Sequence, residues 1–317
     1  MTTLRRIAAA SLLCGAVTVL AACQSGAPEP PTSSAAVPAA PAAPTPSTTS
    51  AAAGNAQLVR AFYEIAFVDK KVEEAARQYI GGEYIQHNPG VADGAQAFVE
   101  AIGGWLAAEP EHETIIHRVL AEGDLVLVHS EHHAVRGDAG LAVMDIFRVQ
   151  GGEIVEHWDA IQPVLTPSAS GHTMFDGPQT TASAVSEADR ERNRRAALAF
   201  LDLAFNQADA QKAVDEHLGA EYVQHNPGVA DGGAAFVAAF AGVQPRESAA
   251  KMVFPRTIAE GDMVVVQTFS PKQDGSGDGS IDIFRFDAAG KIVEHWDVIQ
   301  QYPALTAGGR TTWDDRR

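Results

Sequence analysis

The chain has 317 residues, with 40 Asp and Glu against 23 Lys and Arg, a net charge of −17, and no basic stripe. That balance argues against a nucleic-acid partner and mainly favours solubility. Cys14 and Cys23 are its two cysteines, so beyond the amino-terminal region there is no thiol for a disulfide, a cysteine metal site or a cysteine nucleophile.

Arg5 and Arg6 precede an apolar run from Ile7 to Leu20, followed by Leu20-Ala21-Ala22-Cys23. The order is that of an export signal, and its end resembles a bacterial lipobox. The resemblance implies that residues 1–22 are a signal peptide cut before Cys23. A diacylglycerol thioether on Cys23 would then anchor an exported lipoprotein to a membrane of the cell envelope. Ala, Pro, Ser and Thr dominate from Gln24 to about Gly54, too poor in large apolar residues to offset the entropy of ordering. Residues 23–54 are therefore expected to be the lipidated Cys and a disordered tether, which at about 3.1 Å per residue reaches several tens of Å.

Beyond Gly54 the sequence repeats itself. Tyr84-Ile-Gln-His-Asn-Pro-Gly-Val-Ala-Asp-Gly94 returns from Tyr222 to Gly232, changed only at Ile85/Val223, an offset of 222 − 84 = 138. The same offset carries AEGD from Ala121 to Ala259 and IVEHWD from Ile154 to Ile292. So long a period marks tandem domains rather than a solenoid. The expected division is a first domain over 55–178, a linker over 179–192 and a second domain over 193–317.

Within the first repeat Leu58, Phe62, Ile65 and Ala66 recur at helical spacing, matched by Phe200, Leu203 and Ala204 in the second. A short helix is expected over Val72–Ile80. A third opens after Asp93, with Gln96 completing a capping box and Phe98, Ile102, Trp105 and Leu106 as its buried stripe. The period then changes to two, giving strands over Thr114–Ala121, Leu125–Val135, Leu141–Gln150 and Glu153–Gln162. Helices followed by an antiparallel meander make an α+β domain whose curved sheet wraps a helix. In the second repeat Pro255 stands where His117 was, which suits an edge or bulged strand, and Gln273–Gly279 is glycine-rich.

The repeated words hold His, Asn, Asp and Trp where packing alone would keep aliphatic residues. Asp145 and Asp282 sit in mid-strand among apolar neighbours, where a carboxylate is costly unless partnered or protonated. His157 and Asp159, like His295 and Asp297, lie two apart on a strand and share a face, with Trp158 on the other. A two-residue Gly151-Gly152 loop sets Asp145 opposite Trp158; a bulged hairpin brings Asp145, His157 and Asp159 onto one surface. His87 and Asn88, with His225 and Asn226, precede a proline in a turn, and Tyr84 and Tyr222 offer a hydroxyl to a ligand. His129, Glu131 and His133 share a strand face in the first copy, whereas the second has Gln267, Phe269 and Pro271. The absence of HExxH spacing argues against a metal site built from His87, His129, His157 and Asp159. Serine-hydrolase, dinucleotide and P-loop signatures are also missing.

At YIQHNPGVADG, AEGDLVLVHS, MDIFRVQGGEIVEHWDAIQ and Gly171-His-Thr-Met-Phe175 the chain resembles the SnoaL-like polyketide cyclase family, in the branch described as aldol-condensation-catalysing. The resemblance covers about Asn55–Pro178 and Asn193–Asp315. It implies two tandem cone-shaped domains of the nuclear transport factor 2-like (cystatin-like) fold, paired within the chain as a pseudo-dimer with facing sheets. It also implies a pocket for a small hydrophobic molecule, no cofactor, and an acid/base role for Asp159 and Asp297. Similarity of SIDIFRFDAAGKIV to a ketosteroid isomerase strand implies an oxyanion-stabilising role for Asp282 and hence Asp145, and favours the bulged register. His87 and His225 complete the candidate catalytic set. The candidate substrate-binding residues are Tyr84, Asn88, His129, His157, Trp158, Tyr222, Asn226 and His295.

The function expected first is proton abstraction beside a carbonyl, in an aldol condensation or isomerisation. The alternatives are a noncatalytic lipoprotein that binds the same class of molecule, favoured by export, and hydrolysis of an epoxide by an Asp-activated water. The second copy, lacking the His129 and Glu131 counterparts, is expected to be the weaker or purely structural site.

Overall fold

A computed structural model describes residues 48–314. The expected signal peptide, Cys23 and most of the tether lie outside the described residues. No helix among the described residues is long and apolar enough to cross a membrane.

The first repeat opens with helix α1 (Thr48–Tyr63), so helix takes in the last seven residues, 48–54, of the segment expected as tether. A π turn over Glu64–Val68 continues it. Helix α2 (Val72–Tyr79) leads into strand β1 (Ile80–Gln86), and α3 (Ala95–Ala108) comes after the HNPG turn. Strands β2 (Glu113–Glu122), β3 (Leu125–His133), β4 (Leu141–Gln150) and β5 (Glu153–Pro163) complete the sheet, in the order β1-β5-β4-β3-β2. The β2–β5 meander is antiparallel, as the period-two pattern predicts. β1, which the pattern leaves out, pairs parallel to β5 and makes the sheet mixed. Two adjacent glycines, Gly81 and Gly82, dilute its alternation.

The second repeat retraces this path with α4 (Glu187–Leu201), a π turn over Asp202–Asn206, α5 (Ala210–His217), β6 (Leu218–Gln224) and α6 (Gly233–Phe240). Its sheet adds β7 (Val253–Glu260), β8 (Met263–Pro271), β9 (Gly277–Phe286) and β10 (Ile292–Tyr302), ordered β6-β10-β9-β8-β7. Pro255 lies on the edge strand β7, at a shift in register, where a missing N–H costs least. α6 has 8 residues where α3 has 14, which leaves the second helical wall shorter.

Asp93 does not cap α3. Gly94 holds that place at φ +95°, as Gly232 does at +88° before α6, a conformation glycine adopts without strain. Asp93 instead accepts from the Gln86 N–H at 3.0 Å and pairs with Arg310 from the far end of the chain.

Each sheet has a helix-facing side and an outer side, and the two outer sides pack on each other. Leu127, Met144, Ile146 and Trp158 interleave with Val265, Ile281, Ile283 and Trp296 in one apolar cluster. The contacts are reciprocal, as in a twofold dimer. Glu260 accepts from the Ala121 N–H while Glu122 accepts from Ala259, and Gln300 accepts from Ile161 while Gln162 accepts from Ile299. The segment after each sheet crosses to the other repeat: the Trp158 indole donates to the Asp314 carbonyl, and Trp296 to that of Asp176. The expected intrachain pseudo-dimer is therefore formed, with its sheets face to face.

Candidate functional site

The bulged register decides which side chains meet. Val149 pairs with Ile154 but Arg148 with Glu156, so Val155 is an extra residue, and Asp145 faces Asp159 directly across β4 and β5. His157 lies on the same side, beneath the helices. The second repeat does the same around Val293, setting Asp282 opposite Asp297. In both copies the Asp, His and Asp offer one ligand atom each within 4.8 Å of one another.

In the first repeat these residues floor a cavity of about 280 Å³, walled by Phe67, Val91, Phe98, Ile102, Trp105, Val143, Phe147 and Ile161. Gln86 accepts from the Asn88 N–H at 2.9 Å, which fixes its Oε1, and the same oxygen lies 2.7 Å from His157 Nδ1. His157 Nδ1 therefore faces an acceptor and carries a hydrogen. Its Nε2 lies 2.8 Å from Asp145 Oδ1, so His157 and Asp145 share one proton, and Tyr63 donates to Asp145 Oδ2 at 2.9 Å. Burial would lower the His157 pKa, but the bond to Asp145 and the charges of Asp159 and Asp145 outweigh it and raise it.

Asp159 stands apart from this pair. Asn88 Nδ2 donates to its Oδ2 at 2.5 Å, while the buried Oδ1 has no hydrogen-bond partner among the described residues. Burial is the largest influence on its carboxyl; His157 pulls against it and the Asp145 charge pushes with it, so its pKa is raised to about 6. A carboxylate with one tethered and one unoccupied oxygen, titrating near neutrality against an apolar wall, is suited to take a proton from a bound molecule. Tyr84 also lines the cavity. Its hydroxyl receives the Gln86 amide at 3.2 Å and gives no bond among the described residues, so its own proton is available to a ligand.

The second repeat preserves the inner geometry. His295 bonds Asp282 and Gln224 at 3.0 and 2.9 Å, and Asn226 holds both oxygens of Asp297, which burial raises to about 6. Its surroundings differ: Leu201 stands for Tyr63, and Arg246, Thr268, Ser270 and Asp278 join the lining of a cavity of about 390 Å³. Asn226, Asp282 and Asp297 line it; Tyr222 and His295 do not.

The structure places four of the sequence candidates on the outer sides of the sheets, turned away from the cavities. His87 stacks on Trp158 with ring centres 4.9 Å apart, bonds Glu156 and meets the Thr311 carbonyl, all on the outer side of the sheet. His225 repeats this with Trp296, Glu294 and Thr173. His87, His225 and Trp158 therefore hold the interface, because the turn after β1 sends the histidine outward. His129 is also on the outer face, accepting from Arg118 and packed on Phe175. Its strand neighbours Ser130 and His132 face inward instead. Sequence reasoning missed Tyr63, Gln86, Ser130 and His132. Gln86 and Gln224 carried a signal, as a repeated polar residue inside the duplicated word; the Ser130 hydroxyl recurs only as Thr268, and Tyr63 and His132 are replaced by Leu201 and Ser270.

One nitrogen and two oxygens converging in each copy would suit a divalent cation only if the His157–Asp145 and His295–Asp282 hydrogen bonds gave way. Those bonds satisfy His157 Nε2 with Asp145 Oδ1, and His295 Nε2 with Asp282 Oδ1, without one.

Residues 59–157 and 197–295 each match the profile of the SnoaL-like domain. A comparison with curated proteins finds no match. Among solved structures, TsrD from Streptomyces laurentii is 20% identical, covering 35% of this chain and 89% of its own at a TM-score of 0.30. A protein of Bacillus cereus named as a candidate polyketide cyclase is 22% identical over 37% of this chain and 78% of its own, TM-score 0.33. Bal32a, from a soil-derived mobile gene cassette, is 19% identical over 35% and 90%, TM-score 0.31.

Proposed function

Because the chain belongs to the SnoaL-like domain family through both of its halves, we propose that its first repeat removes a proton beside a carbonyl of a small, largely apolar molecule. Aldol condensation and isomerisation both begin with this step. The observation that carries the reading is Asp159: a buried carboxylate with an unpartnered Oδ1, opening on an aromatic and aliphatic cavity. At neutral pH it is mostly ionised, and its conjugate acid is weak enough to form readily. Negative charge developing on the substrate oxygen is met by the Tyr84 hydroxyl and by the proton shared between His157 and Asp145. The cavity, near 280 Å³, is at the small end for ligand sites, which argues for a compact substrate. The amino-terminal signal and lipobox-like Cys23 support an exported, membrane-anchored protein, so the substrate is one met in the cell envelope.

The test is to incubate the full chain with a panel of small ketones in D₂O and follow α-deuteration by NMR. Deuteration that Asp159→Asn abolishes supports the reading. Tight binding with no deuteration of any bound ketone would replace it with a binding role.

A further inference from the structure

A continuous line of hydrogen-bonding side chains leaves the first pocket behind Asp145. Tyr63 Oη lies 2.9 Å from Asp145 Oδ2, 2.7 Å from Ser130 Oγ and 2.9 Å from His132 Nε2. On the far side of that ring, His132 Nδ1 is 3.2 Å from His112 Nε2 and 3.2 Å from Thr114 Oγ1. His112 Nδ1 then meets Glu109 Oε2 at 3.1 Å, and the Glu109 side chain is 30% exposed. Tyr63, Ser130, His132 and His112 are themselves buried.

We propose that Tyr63, Ser130, His132 and His112 form a proton relay joining Asp145 to solvent at Glu109, and that it serves the first repeat alone. The positions 138 residues on are Leu201, Thr268, Ser270 and Ala250, with Met252 for Thr114. A leucine, a methionine and an alanine cannot hand on a proton. The second repeat keeps the Asp–His–Asp floor, but the line from Asp282 runs only through the Ser280 and Thr268 hydroxyls, at 2.6 and 2.7 Å, with no tyrosine or histidine pair to carry it on.

The transfer balances link by link. With Asp145 ionised, Tyr63 donates to it, His132 Nε2–H donates to Tyr63, and His112 Nε2–H donates to His132 Nδ1. A proton reaching His112 Nδ1 from Glu109 or water lets each link pass one proton inward: Asp145 ends protonated and Tyr63 is restored. His132 and His112 end neutral in the opposite tautomer, from which ring turnover or exchange of the ring protons resets them before the next transfer. Burial, reinforced by His112 and His133, lowers His132 to about 3, which keeps the ring neutral and able to accept at one nitrogen while donating from the other. Its use rests on the proposed acid–base reading. The His157–Asp145 pair gives a proton to the substrate oxygen, and the relay replaces it while the pocket is filled. Asp159 releases the proton it took to water when product leaves.

The path is tested without substrate, so its failure is distinct from failure of the carbonyl chemistry. Imidazole NMR of the full chain would follow exchange of the His157 ring protons with solvent, with the His295 ring protons as a reference in the same molecule. Tyr63→Phe and His112→Phe each break one link while keeping an aromatic ring in place. The expected result is that either variant slows exchange at His157 by about tenfold or more. The double variant should slow it no further, and His295 should be unchanged. Unchanged exchange at His157 in both variants would overturn the relay. So would an equal change at His295, because whole-molecule opening would then be the cause.

Discussion

Replacing Asp159 by Asn should make stability depend on pH differently, and in a direction the burial of that carboxyl fixes. Asp159 is raised from 3.8 to about 6 in the folded chain. A shift of roughly two units corresponds to about 3 kcal/mol. The folded state holds the proton more tightly, so this contribution is fully present below about pH 4 and is lost as pH rises to 6. Asn keeps the shape and an oxygen for the Asn88 amide, but has no proton to lose. The variant should therefore gain on wild type by up to about 3 kcal/mol between pH 4 and pH 7. Denaturant unfolding of both proteins across that range measures the difference. Carboxyls held low by their partners, such as Asp93 bonded to Arg310 and Glu294 bonded to His225 and Arg285, are common to both chains and cancel. A pH-independent difference, or a wild type that gains on the variant as pH rises, would refute the claim that burial governs this carboxyl.

Turnover by Asp159→Asn should fall by about 10²–10⁴-fold with little change in ligand affinity, whereas Asp297→Asn should cost less; equal losses in steady-state assays would remove the asymmetry between the repeats. Trp296→Ala, which empties a fully buried site in the shared outer core, should cost about 3–5 kcal/mol in denaturant unfolding. Because the outer sheet face of the first repeat packs on the similar face of the second, residues 51–178 expressed alone should pair with a second copy through that face, and a monomer in sedimentation would show that the two faces are not interchangeable. If Cys23 carries the proposed lipid, wild type should sediment with membranes and Cys23→Ser should be released without a change in its unfolding curve; a variant that stays membrane-bound would exclude the lipid anchor.

Much of the fold was legible because hydrophobic period changes sharply from helical to alternating between Trp105 and Thr114, and because duplication repeated the evidence. β1 escaped because Gly81 and Gly82 blur its alternation and because its pairing is with β5, about 70 residues away. The Asp145, His157 and Asp159 grouping was visible only as one of two registers, since a single extra residue in a hairpin flips a strand face. His87 and Trp158 misled because interface residues repeat as faithfully as pocket residues in an internal dimer. His129 was one residue out: the neighbouring Ser130 and His132 point to the helices. Tyr63 and His132 left no trace in the repeat pattern, because the second copy has Leu201 and Ser270.

The central claim, that Asp159 is the base, is tested most directly by the pH dependence of α-deuteration of a bound ketone. The rate should rise with pH through a midpoint near 6, where Asp159 loses its proton, and level off above it. Exchange that proceeds undiminished at pH 4.5, or that survives Asp159→Asn, would contradict it.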